Sequence, residues 1–129
     1  MAKDKNEQQG GAARNRLVGW LVSYARDEQG AYHEIRSGRT LISAEKSSDT
    51  RIITVAERDI SAPHLAMSAS VRHRVLIQDI FSERGSYLTR ADGTSETKVT
   101  GPIEVEHGDW LRIGDGTRFQ VCLIDGPGR

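Results

Sequence analysis

From Leu17 onward, short apolar runs alternate with polar turns at near-regular spacing. "LVGWLVSY" is rich in branched and aromatic residues, and "ARDEQG" supplies a polar turn ending in glycine. "AYHEIR" and "RTLIS" follow, separated by Ser37–Gly38, and "RIITV" is a compact apolar run. In the next stretch Leu65, Met67, Ala69 and Val71 fall on one side of a period-two pattern, with Ala66, Ser68 and Ser70 on the other. "RVLIQD", "SYLT", the polar loop "ADGTSETK", "IEVE", "WLRIG" and "RFQVCLID" complete the chain, and Phe119, Val121 and Leu123 alternate with Gln120 and Cys122. A period of two is the signature of half-buried strands, and nine to eleven of them in series predict an all-β sandwich or barrel.

One segment reads two ways. "SAPHLAMSASVRHRVLIQDIF" offers Ser61 as a helix N-cap and Pro63 in a first turn. The alternation at 65, 67, 69 and 71 and the β-branched residues after it favour strands. Residues 1–16 hold no large apolar side chain after Met1 and are expected to form a polar, disordered tail. Residues 17–125 then make one domain, and 126–129 a short C-terminal tail.

Composition narrows the function classes. The 129 residues carry 18 basic and 18 acidic side chains, a balance with no global pull toward nucleic acid or anionic lipid. Cys122 is the single cysteine, so no internal disulfide can form, and a reducing compartment is expected. No apolar run approaches the roughly 20 residues of a membrane span, and the polar start lacks a secretory signal. The expectation is a soluble, cytoplasmic protein without membrane contact.

The candidate chemistry is sparse. Ser61 and His64 lie three residues apart, with Asp59 or Asp79 available to orient an imidazole. A Ser-x-x-His spacing within one loop seldom aligns a nucleophile with its base, and no Gly-x-Ser-x-Gly elbow is present. His33, His64, His73 and His107 are scattered without metal-site spacing, and no glycine-rich phosphate loop opens a helix. No enzymatic activity, metal or cofactor is therefore expected. Nucleic-acid binding would need aromatics on a basic strand face. The seven aromatic residues mostly sit where alternation predicts core positions, with Trp20 and Trp110 as packing anchors. The Asp-Gly pairs at 92–93, 115–116 and 125–126 read as hairpin turns needing positive φ. Gly108–Asp109 reads as a tight turn whose carboxylate caps backbone donors.

Taken in order, these segments resemble a forkhead-associated (FHA) domain over nearly the whole of Leu17 to Asp125. The opening "LVGWLVSY…YHEIRSGRTLIS" is similar to many bacterial members, and "DISAPHLAM" sits at the family's Ser-x-x-His loop. "DIFSERGSYLTR" resembles its D-x-x-S-x-N-G-T segment, and "VEHGDWLRIGDGTRFQVCLID" its closing L-x-x-G-D-x-I-x-I-G…F-x-V. The resemblance implies an FHA-type β-sandwich of about eleven short, mostly antiparallel strands, with recognition loops at one end. It also implies a protein-interaction module of the class that reads phosphothreonine peptides in signalling.

Carried over residue by residue, the family's phosphate pocket is degenerate. Its "T-x-I-G-R" reads "TLISA" here, so Ser43 replaces the glycine and Ala44 the phosphate-directed arginine. Ser61 and His64 are kept, the serine as a phosphate contact and the histidine as a loop brace, whereas Ala62 offers no side-chain donor. In the following turn Ser82, Gly85 and Ser86 survive from the pattern. Arg84 replaces the asparagine that grips peptide backbone, and Glu83 adds a negative charge. Lys46, Arg51, Arg58 and above all Arg84 are the cations near enough in sequence to approach a phosphate from another direction. The expected reading is an adaptor that binds a protein partner independently of phosphorylation through the loops around 43–50, 59–64 and 81–87. The alternative is an altered phosphothreonine site using Ser61 and Arg84.

Overall fold

A computed structural model describes residues 15–25, 27–48 and 51–126. Eleven strands follow one another: β1 (Leu17–Ser23), β2 (Ala31–Arg36), β3 (Gly38–Ser43), β4 (Ile52–Thr54), β5 (Leu65–Ala69), β6 (Val75–Asp79), β7 (Ser86–Thr89), β8 (Glu96–Lys98), β9 (Ile103–Val105), β10 (Trp110–Ile113) and β11 (Thr117–Leu123). They form two sheets, one ordered β2-β1-β11-β10-β7-β8 and the other β4-β3-β5-β6-β9. Every pairing is antiparallel except β3 with β4. Of the residues of the helical alternative, 65–69 and 75–79 form β5 and β6, and the rest are turn and loop. The described residues hold no helix long and apolar enough to cross a membrane.

The alternation read from the sequence sets the sheet faces. Leu65, Met67 and Ala69 of β5 and Val75 and Ile77 of β6 turn inward. They meet Val18 and Leu21 of β1, Leu111 and Ile113 of β10, and Phe119 and Val121 of β11 across the sandwich. Each fully buried aliphatic side chain contributes about 1.5–3 kcal/mol of transfer free energy, so this inter-sheet layer is the main source of stability.

Several expectations need correction. Val71 is not on the strand: β5 ends at Ala69, and Val71 stands in the β5–β6 turn, exposed. The polar loop 91–98 contains β8, an edge strand with all three side chains exposed, which pairs with β7 from Tyr87↔Lys98 to Thr89↔Glu96. Of the seven aromatic side chains only Phe119 is buried. Trp20 is half-buried and Trp110 exposed because both lie on the outward parity of their strands, so neither is a core anchor. Turns do occur at 92–93 and 115–116, but neither Asp92 nor Gly93 has positive φ, the positive φ near the second falls on Gly114, and Asp125–Gly126 follows the last strand without closing a hairpin. The proposed tail lies outside the described residues up to residue 14. Arg16 is bound: its N–H donates to Ser37 Oγ at 3.0 Å and its Nε to His73 Nε2 at 2.8 Å.

Candidate recognition site

The ends of β3, β6 and β10 and the starts of β5, β7 and β11 bring three loops together, those after β4, after β6 and after β10. His64 is the hub. It is fully buried, and its Nδ1 accepts the Ser61 N–H at 3.0 Å while its Nε2 lies 2.8 Å from Gly85 O. The backbone donor at Ser61 makes Nδ1 the acceptor, so Nε2 carries the hydrogen given to Gly85. One imidazole thus ties the loop before β5 to the turn before β7.

Around this hub the site residues are consumed in bracing. Ser61 Oγ accepts the Glu83 N–H at 3.0 Å, and Ser61 O accepts the Ala44 N–H at 3.1 Å. Ser43 is buried, and its Oγ accepts the Glu45 N–H at 3.1 Å. Ala44 packs against the core. Ser82 and Ser86 hydroxyls both donate to Asp79 Oδ2 at 2.6 Å, the Ser82 N–H donates to Oδ1 at 2.9 Å, and Gly85 N–H donates to Ser82 Oγ at 2.9 Å. Burial pushes the Asp79 carboxyl up, but these three bonds outweigh it and hold its pKa below the ordinary aspartate value. Ser86 has no exposed surface, which leaves it a structural residue rather than a contact. Gly85 holds φ +87, a conformation that disfavours any side chain, so its survival in the turn has a backbone cause.

Asp59 locks the third loop. Its Oδ2 accepts the N–H groups of Asp115 at 2.7 Å and Gly116 at 3.1 Å. Burial pushes this carboxyl up, while those bonds and the nearby Arg84 charge bring it below its usual value. Gly114 approaches so closely that a Cβ there would lie 2.5 Å from Asp59 O. Neither Asp59 nor Asp79 bonds His64, and Ser61 meets the imidazole through its N–H, not its hydroxyl. A nucleophile–base–acid relay is not assembled.

The remaining candidates face outward. Arg84 NH1 pairs with Asp115 Oδ2 at 2.8 Å, with both side chains more than half exposed. Lys46, Arg58 and Ala62 are exposed, and neither cation makes a hydrogen bond or ion pair among the described residues. Arg51 is turned away from this end and donates to Thr40 Oγ1, Arg36 O and Ser37 O. Asp49 and Thr50, in the first of the expected binding loops, lie outside the described residues. Phe81, which opens the expected 81–87 loop, is completely exposed at φ 49 on the β6–β7 turn. Beside the three loops, Ser23, His33, Val55, Thr117 and Phe119 help to line a cleft of about 650 Å³. Burial lowers the His33 pKa, and its ring meets Phe119 edge-on at 5.9 Å.

No family model and no curated relative matches the chain. Solved structures do. The FHA domain of CT664 from Chlamydia trachomatis superposes with a TM-score of 0.67 at 18% identity, over 84% of this chain and 98% of that one. The FHA domain of an Arabidopsis thaliana hypothetical protein gives 0.66 at 19%, over 88% and 92%. The FhaA FHA domain, solved with the intracellular domain of Rv3910, gives 0.62 at 19%, over 81% and 98%. At such identities the likeness establishes the fold, and the fold is the FHA-type sandwich.

Proposed function

We propose that this domain is a non-enzymatic protein-interaction module that engages its partner without requiring phosphothreonine. The observation that carries the reading is the charge and commitment of the loop end. The three loops that meet there carry four carboxylates (Glu57, Asp59, Glu83, Asp115) against two cations (Arg58, Arg84). Arg84 already has Asp115 as a partner. A dianionic ester arriving beside Ser61 meets an excess of carboxylates, and with Arg84 already paired the exposed Arg58 is the single uncommitted fork-shaped donor in the described part of these loops. Charge-assisted hydrogen bonds contribute roughly 1.5–3 kcal/mol each, so lacking both the arginine at 44 and the asparagine at 84 weakens a phosphopeptide by at least about a hundredfold. Structural neighbours support the broader role: FhaA is complexed with a protein domain and human APLF with a bisphospho peptide of XRCC1.

A second reading has one observation in its favour. The Arg84–Asp115 pair is exposed, and such pairs are worth about 0–1 kcal/mol, so a phosphate beside Ser61 could displace Asp115. An NMR titration with a degenerate phosphothreonine library, paired with a pull-down before and after phosphatase, separates the two. The expected result is the same partner in both pull-downs and no saturable shift at Ser61, Glu83 or Arg84. Saturation in the micromolar range that phosphatase abolishes would establish the altered phosphothreonine site instead.

A further inference from the structure

An antiparallel sheet with one face on the core normally turns polar side chains to water on the other. The outer face of the five-stranded sheet mixes the two, with Arg39, Ser68 and Gln78 standing beside a run of apolar side chains. Leu41, Ala66, Leu76, Ile80 and Pro102 line a groove of about 640 Å³ there, and Leu76 is 46% exposed. Ile80 at one end of the groove directly precedes Phe81, the most exposed large apolar side chain among the described residues at 101%. Phe81 is also held at φ 49, a left-handed conformation that a bulky L-residue adopts at a steric penalty. A strained aromatic presented wholly to solvent beside an apolar groove is a knob next to a hole.

We infer that a second copy of this chain covers the groove, in a two-fold dimer where Phe81 of each copy seats over Leu76 of the other. The register supports this geometry. Leu76 in β6 and Ile80, one residue past its end, are four residues apart, about 13 Å at the strand rise. Gln78 and its cross-strand partner Ala66 lie midway. A two-fold axis through that midpoint exchanges the Phe81 end of the groove with the Leu76 end, which makes the patch self-complementary, as a closed dimer requires. The same rotation brings Glu83, two residues beyond Phe81, toward Arg39, which shares the Leu76 end through Ser68. Both are exposed and neither has an ion pair or side-chain hydrogen bond among the described residues. The acidic loop end and the basic groove end are thus complementary between copies.

Sedimentation equilibrium of the full chain from low micromolar to about 1 mM tests this. The expected result is a concentration-dependent species of twice the chain mass. Phe81→Ala and Leu76→Glu should each raise the dissociation constant at least tenfold. Glu83→Arg should raise it several-fold, and adding Arg39→Glu should recover most of that loss. All four positions are on the outer surface, so circular dichroism should show an unchanged fold. A monomer throughout, a dimer indifferent to Phe81→Ala and Leu76→Glu, or open-ended oligomers would each overturn the inference. None of these outcomes bears on phosphate dependence.

Discussion

The two ends of the sandwich solve one problem with different chemistry. At the loop end, buried His64 joins two backbone groups, and Asp79 is satisfied by two serine hydroxyls and an N–H. At the opposite end, His73 bridges Arg16 Nε and Ile124 O. There Asp109, 1% exposed, accepts the N–H groups of Ala91 and Glu106 and pairs with Arg90 NH1 at 2.7 Å. The far end therefore neutralises its buried carboxylate with a guanidinium, whereas the loop end uses neutral donors. Bracing at the loop end turns inward, and its outer surface carries Lys46, Arg58 and Arg84 beside the carboxylates and one strained aromatic. The hydrogen bonds of Ser61 and His64 in the loop before β5 are thus those of structural braces.

The sharpest break of this comparison is His64→Ala. It leaves the Ser61 N–H and Gly85 O without partners in a fully buried space and opens a cavity, so unfolding free energy should drop by about 3–4 kcal/mol. His73→Ala, at a hairpin tip nearer solvent, should lose only about 1–2 kcal/mol. Urea unfolding followed by tryptophan fluorescence measures both. Equal losses would mean that the loop end is braced no more firmly than the far end.

The carboxylates come next. In Asp109→Asn the amide must place a donor against a backbone N–H and also leaves Arg90 uncompensated, an expected loss of about 2–3 kcal/mol. Asp79→Asn should lose about 1–2 kcal/mol, because serine hydroxyls can reorient toward an amide. Their pH behaviour sharpens the contrast. The folded Asp79 pKa lies below the unfolded value, so its stabilisation is complete above about pH 4 and disappears as pH falls through the folded value. The native protein should accordingly lose stability more steeply than Asp79→Asn does as pH falls below about 4. Parallel acid limbs would remove Asp79 from the bracing.

What could be read from the chain follows from the same physics. Alternation at Leu65, Met67 and Ala69 or at Phe119 and Val121 reports that two strand faces differ, so the sandwich was legible. It does not report which face is inside when both carry bulky groups, so Trp20 and Trp110 were misplaced on the core side. The strand Glu96–Lys98 has no buried side chain to leave a pattern, and its pairing is purely backbone. At the site, Ser61 and His64 were visible by spacing, but the engagement of Asp79 by Ser82 and Ser86 depends on a turn geometry that no periodicity encodes. Phe81 stood in an expected binding loop, but its full exposure and left-handed backbone were not legible for the same reason. Its signal is a backbone angle, although an aromatic inside a polar turn between Asp79 and Ser82 is an anomaly that composition could flag.

The smallest effect concerns that residue and carries the opposite sign. A left-handed L-residue costs about 1–2 kcal/mol relative to the right-handed regions, whereas glycine adopts the same angle freely. Phe81 is fully exposed, so its removal forfeits no buried area within the monomer. Glycine's extra freedom in the unfolded chain offsets part of the gain, about 0.5–1 kcal/mol. Phe81→Gly should therefore stabilise the isolated monomer by about 0.5 kcal/mol, a rise of a few degrees or less in Tm. Phe81→Ala keeps a Cβ at φ 49 and should show no such rise. Thermal unfolding at low micromolar concentration, where self-association is minor, reads this directly. A destabilised glycine variant would show that the aromatic ring holds the turn rather than straining it, and the loop end would then be braced from outside as well as from within.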